Sequence, residues 1–138
     1  MSEKFVGKWN LLESENFDAY LKHIGIGIIQ RKLATSIKPS LLIDVNESHW
    51  KMTSVSTFKT HSIEFDLGVE FTEETIDGRK MKSTCTLDDG KLTQVQKKID
   101  AKDKDSTFVR SVDADKLIVE MDSDGIKAKR IYGKANDK

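Results

Sequence analysis

Tight-turn signals constrain this chain more than any other feature. Aspartate-glycine pairs stand at Asp77-Gly78, Asp89-Gly90 and Asp124-Gly125, and Asn46-Glu47, Asp103 to Asp105 and Asp113 to Asp115 are further polar breaks. Glycine accepts the positive φ that primed two-residue turns demand, so Asp-Gly favours hairpins. Runs rich in Val, Ile, Thr and Phe fill the intervals. They predict strands near 6–14, 40–46, 49–55, 57–66, 70–75, 80–88, 91–99, 106–112, 116–122 and 126–133. Short strands at such spacing make an all-β sandwich or barrel, and the short connections pair neighbours antiparallel.

One segment departs from this pattern. Phe17, Tyr20, Leu21 and Ile24 follow the i, i+3, i+4, i+7 spacing of a helical face. Asn16 stands where an N-cap would, with Asp18 in the first turn. Gly25 and Gly27 stop this helix, and Ile28 to Ala34 reads as a second. Helices this short are marginal alone, so they must dock, and the open end of a barrel is a natural place.

Composition narrows the function classes. The 138 residues fit one domain, 1–138. Acids and bases balance at 23 each, which argues against neutralising many phosphates, so nucleic acid is not an expected partner. The same neutrality argues against a membrane-stacking role. Cys85 is the only cysteine, so no intrachain disulfide forms. No apolar run reaches the ~18 residues of a membrane span, and Met1 to Lys4 is not followed by a signal-like apolar core. The expectation is a cytoplasmic, unsecreted monomer, and the missing disulfide and signal set aside an extracellular lipocalin. His23, His49 and His61 lack metal-ligand spacing and read as surface residues. Cys85 alternates with Met81, Ser83 and Leu87 and reads as an inward thiol with no helper histidine. No nucleophile-base pair, metal site or cofactor motif supports an enzyme. Asp122 to Gly125 carries DxDG without the rest of a calcium loop and reads as a turn. Trp9 is expected to close a barrel floor, and 97–105 to form a solvated loop.

Alternation then locates two unusual residues. On 126–132, Ile126, Ala128, Arg130 and Tyr132 share one face, while Lys127 and Lys129 take the other, which must be the wet one. On 106–112, Phe108, Arg110 and Val112 share a face, and Leu117, Val119 and Met121 alternate likewise between them. Two arginines thus point into an apolar interior, where they keep their charge. A buried unpaired charge costs several kcal/mol. Several readings stay open: a ligand carboxylate matched to the guanidinium fork, a wet cavity, an internal carboxylate assigned to the wrong face, or a different strand register.

The N-terminal stretch GKWNLLESENFDAYL, with Gly7, Trp9, Leu11, Asn16, Phe17, Asp18, Tyr20 and Leu21, resembles the signature of the intracellular lipid-binding proteins, the fatty-acid-binding proteins in particular. GIGIIQRKLA at 25–34, STFKT at 56–60, EFTEETIDGRKMKS at 70–83, LTQVQK at 92–97, KLIVE at 116–120 and RIY at 130–132 follow in the family's order. The resemblance implies a ten-stranded, calycin-like, up-and-down barrel with a helix-turn-helix lid at about 16–35. It implies a carrier that holds a long-chain fatty acid or related lipid, its carboxylate on Arg110, Arg130 and Tyr132. It further implies Phe17, Tyr20, Gln96 and Met121 along the cavity, Phe58 as a portal aromatic, and Asp77 with Arg79 as a polar pair at the portal turn. Retinoid-binding relatives often carry glutamine at these positions; arginine at both favours a fatty-acid carboxylate over retinol, and a retinoic acid-like carrier stays as the alternative because its ligand is also a carboxylate. Lys22, Arg31 and Lys32 on the lid match positions that dock anionic membranes or, in some relatives, form a ligand-dependent nuclear-import patch and so link to nuclear receptors.

Overall fold

The computed structural model describes residues 2–135. A 3-10 turn, Ser2–Phe5, leads into β1 (Gly7–Glu15), then α1 (Phe17–His23) and α2 (Ile28–Ser36). The remaining strands are β2 (Ser40–Asn46), β3 (His49–Val55), β4 (Thr60–Asp66), β5 (Phe71–Glu74), β6 (Lys80–Asp88), β7 (Lys91–Lys98), β8 (Ser106–Asp113), β9 (Lys116–Ser123) and β10 (Ile126–Lys134). Their spatial order is β4-β3-β2-β1-β10-β9-β8-β7-β6-β5, so pairing of the first strand with the last closes the meander into a barrel. β4 and β5 are the two edges and share no ladder. The rings of Phe65 and Phe71 stack across that gap at 5.5 Å.

The turns explain why the strands end where they do. Asp89 and Gly90 have φ of 53° and 76°, and Asp124 and Gly125 have 53° and 85°. Both central residues are left-handed, as type I′ hairpins require. Asp77-Gly78 behaves differently. Only Gly78 is left-handed there, inside a wider loop closed by Thr75 N–H on the Arg79 carbonyl at 2.8 Å. The expected strand 57–66 begins at Thr60, because Ser56 organises a turn in which its hydroxyl accepts from the Phe58 and Lys59 amides.

The barrel floor is packed with aromatics. Phe5, Trp9, Trp50 and Phe65 are almost wholly buried. Trp9 Nε1 donates to the Phe5 carbonyl at 2.9 Å, and Phe5 meets Trp50 edge-on at 5.4 Å. The 3-10 turn is thus a plug in the closed end.

α1 is docked deeply, and α2 only lightly, through Ala34 against the core and Arg31 on Asp18 of α1. Tyr20, Leu21 and Ile24 are buried, whereas no residue of α2 is. Asn16 occupies the N-cap position but does not cap: it is left-handed, with φ 61° and no side-chain capping bond. Its amide instead donates to the Lys127 carbonyl at 2.7 Å, which ties the start of α1 to β10. His23 meets Asp124 at 3.0 Å and holds the other end of α1 to the β9–β10 turn.

Candidate functional site

Register brings the two arginines together. Arg110 on β8 and Arg130 on β10 both pair with Val119 on the intervening β9. They lie in one row across the inner wall, about 10 Å apart at the backbone by two strand spacings. Tyr132 and Val112 flank Leu117 in the next row. Ser14 also reaches this row. A bulge between Leu11 and Glu13 shifts β1, so Ser14 stands opposite Arg130 and accepts from its Nε at 3.0 Å. The Arg130 guanidinium lies over the Phe17 ring of α1, 4.1 Å from its centre.

Burial along the inner wall is uneven. A strand packed on one face alternates buried and exposed. β9 does so, with Leu117, Val119, Met121 and Ser123 buried. β8 does not: Phe108, Arg110 and Val112 stay half-exposed, although alternation turns them inward. Arg110 is nonetheless deep enough that burial holds its guanidinium below its ordinary pKa, as it does for Arg130. Arg110 thus combines depth with accessible surface. Two recesses lie elsewhere on the barrel. One, of about 260 Å³, opens in the β4–β5 gap between His61, Ile63, Phe71 and Glu73. The other, of about 740 Å³, lies at the rim by Asp105, Asp124 and Lys127, and neither arginine lines it.

A buried carboxylate that the sequence analysis missed completes the polar site. Glu73 on β5 is buried, and its Oε1 accepts from Ser83 Oγ at 2.7 Å, Gln94 Nε2 at 2.7 Å and Gln96 Nε2 at 3.1 Å. Gln94 then accepts from Arg110 Nη1 at 2.9 Å. Glu73 lay hidden among the acids of the sequence FTEETID, where only knowledge of the inner face of β5 separates it from Glu74. Gln94 shares the inner face with Gln96 on β7, a parity signal that was available. Cys85 is fully buried in this wall, and burial pushes its thiol up to about 12, against the nearby Arg110 charge.

The other expected residues fall at the lid end. Tyr20 is buried on α1, and its hydroxyl donates to Ser106 Oγ at 2.7 Å. Met121 is buried, Phe17 packs against the barrel core, and Gln96 is buried with its Oε1 unpartnered. Phe58 is 61% exposed at the tip of the β3–β4 turn. Arg79 Nε donates to Asp77 at 2.7 Å in the β5–β6 loop. Lys22 and Lys32 are exposed, but Arg31 is committed to Asp18 at 3.0 Å and to the Ile26 carbonyl at 2.7 Å. Two readings need correction. His61 is not a surface residue, since it shares the inward side of β4 with Ile63 and Phe65, and its Nε2 is buried without a partner. The 97–105 stretch is not simply solvated: Asp103 is buried, and Asp105 takes bonds from Ser123 Oγ and the Lys98 amide.

A sequence model of the lipocalin / cytosolic fatty-acid binding protein family matches residues 6–135. "Fatty acid-binding protein homolog 5" of Caenorhabditis elegans is 48% identical, over 95% of this chain and 96% of that protein. The structure of apo lipid binding protein 8 of Caenorhabditis elegans superposes with a TM-score of 0.94 at 32% identity, covering 98% of each chain. The Schistosoma mansoni fatty acid binding protein in complex with arachidonic acid gives 0.90 at 34%, covering 96% of this chain and 98% of that one.

The portal pair yields a prediction that needs no ligand. Burial pushes the Asp77 carboxyl up, but hydrogen bonds from Arg79 and Thr75 together with the Arg79 charge outweigh it, so the net shift is downward. A depressed carboxyl contributes stability above its unfolded pKa and loses it as pH falls through the folded value. Asp77→Asn should therefore cost about 1–2 kcal/mol at pH 7, with the difference from the parent shrinking as pH drops below about 4. Urea unfolding across pH measures this, and a difference constant down to pH 2 would contradict it.

Proposed function

The chain belongs to the lipocalin / cytosolic fatty-acid binding protein family, and from that premise we propose that it carries one long-chain fatty acid with its carboxylate at Arg110, Arg130 and Tyr132. The observation that carries the reading is the pair of inward guanidiniums, each with its pKa lowered by burial and each still partly accessible. Among the described residues neither forms a direct ion pair with a carboxylate: Arg110 is bonded to Gln94 and Arg130 to Ser14. A lipid carboxylate supplies the missing anion. The relatives' names favour a fatty acid over the retinoid alternative.

The division of labour follows from magnitudes. Each buried methylene contributes roughly 0.8 kcal/mol, so a long acyl chain offers about 10 kcal/mol before ordering costs. A charge-assisted hydrogen bond adds about 1.5–3 kcal/mol. The tail sets affinity, and the arginines select the head group and fix its orientation. Phe17 and Met121 contact the tail, and Tyr20, held on Ser106, keeps the lid over it.

For loading and release, contact with an anionic membrane is better supported than nuclear import or delivery to a nuclear receptor. Arg31 pairs with Asp18 at 3.0 Å, which lowers the net charge of the Lys22, Arg31 and Lys32 patch without abolishing it. α2 instead presents Ile28 and Ile29, 58% and 82% exposed, beside Lys32. That is an apolar and basic surface of the kind that inserts at a charged interface.

Two measurements test these readings. Arg130→Gln should weaken oleic acid about 10- to 100-fold and oleyl alcohol about threefold or less; equal losses would remove the carboxylate assignment. A fluorescent fatty acid should leave the protein faster for phosphatidylserine vesicles than for phosphatidylcholine vesicles, with a rate that rises with vesicle concentration. A rate independent of both would point to release through water.

A further inference from the structure

We infer that Glu73 is a selectivity residue: relayed through Gln94, it is the internal counterion of Arg110 and leaves the cavity one uncompensated positive charge, at Arg130. This deepens the carrier reading and rests on it.

Charge bookkeeping on the inner wall leads here. Among the described residues, the inner faces of the ten strands hold Glu73, Arg110 and Arg130 as buried or half-buried charges; Lys98 and Lys134 share the inner parity but are exposed at strand ends, Lys134 lying on the Trp9 ring at the floor. Asp77 and Arg79 sit in the β5–β6 loop and neutralise each other. Glu73 acts as an acceptor, and three donors converge on one of its oxygens, the pattern of a carboxylate anion.

Gln94 makes the link directional. Its amide nitrogen donates to Glu73 at 2.7 Å, and its amide oxygen accepts from Arg110 at 2.9 Å. A flipped amide would set NH₂ against guanidinium and oxygen against carboxylate, so the two charges fix the orientation from both sides. Such a chain polarises each bond in it. Arg130 has no equivalent. Its hydrogen bond goes to the neutral Ser14 hydroxyl, and its guanidinium rests on the Phe17 ring. Burial lowers the pKa of both arginines; Cys85, Glu73 and Tyr132 act on Arg110, whereas Tyr132 acts on Arg130 and Glu73 does not.

The consequence is a limit on head-group charge. One ligand carboxylate neutralises the site, and its natural place is Arg130 with Tyr132. Arg110 then shapes the site from one side with its charge already answered. Through Gln94, Glu73 holds Arg110 on the wall and withholds its guanidinium from the ligand carboxylate, so it lowers the preference for acids over alcohols that two bare arginines would give.

The test compares oleic acid with oleyl alcohol in the parent, Glu73→Gln, Arg110→Gln and the double variant, by isothermal titration at pH 7.5. Glu73→Gln should raise the acid-to-alcohol affinity ratio about tenfold. That gain should vanish when Arg110→Gln is already present, since the pair couples. Alcohol binding reports on folding in each protein. If Glu73→Gln does not fold, Glu73→Ser removes the same charge and leaves room for water on the three donors. Glu73→Asp keeps the charge and should keep the parental ratio. The inference is overturned by an unchanged or lowered ratio in both charge-removing variants, or by an undiminished gain on the Arg110→Gln background. Failure of the parent to bind either lipid would instead sink the carrier reading.

Discussion

A guanidinium cannot shed its charge inside a protein, and this one constraint organises the whole barrel. Burying it unpaired costs several kcal/mol, yet the register of β8, β9 and β10 turns two of them inward on either side of Val119. The structure answers the two charges in different ways. Arg110 has Gln94 and, behind it, Glu73. Arg130 has a serine hydroxyl and an aromatic face, which ease its burial without neutralising it. In the proposed carrier reading, the asymmetry turns a structural cost into a preference for one anionic head group.

The rest of the fold keeps that preference from being lost to solvent. Aromatics and the 3-10 turn seal the floor. α1 is pinned over the other end by Asn16, Tyr20 and His23, each to a different strand or turn. α2 has no such anchors and leaves two isoleucines exposed. The helical pair is thus held to the barrel mainly through α1. The β4–β5 gap is the other interruption in the wall, bridged by Phe65 on Phe71 instead of a ladder.

Much of this was legible in the residues. Asp-Gly turns at 89–90 and 124–125 fixed two hairpins because both need paired left-handed residues. The lysines at 127 and 129 decided which face of β10 is wet, and so placed Arg130 and Tyr132 inside. What stayed hidden depended on distant chain segments. Asn16 looks like a cap, but a tertiary bond to Lys127 outcompetes the local one. Glu73 and Glu74 are indistinguishable until the pairing of β5 with β6 sets Glu73 opposite Met81. His61 has the composition of a surface residue and the parity of an inner one, and its strand starts three residues later than propensity suggests. In each case local chemistry was read correctly and the deciding partner lay elsewhere in the sequence.

The central claim is that a ligand carboxylate completes the arginine row from within. Carbon-13 NMR of carboxyl-labelled oleic acid bound to the protein tests it directly, by following the carboxyl resonance from pH 8 to pH 4 and its cross-peaks to the protein. The account predicts an ionised carboxylate throughout, with contacts to Arg130 and Tyr132, because a guanidinium at hydrogen-bond distance holds the group below its ordinary pKa of about 4.3. A resonance that titrates at the ordinary value and shows no contact to either residue would mean that the head group lies in water and that the inward charges serve some other purpose.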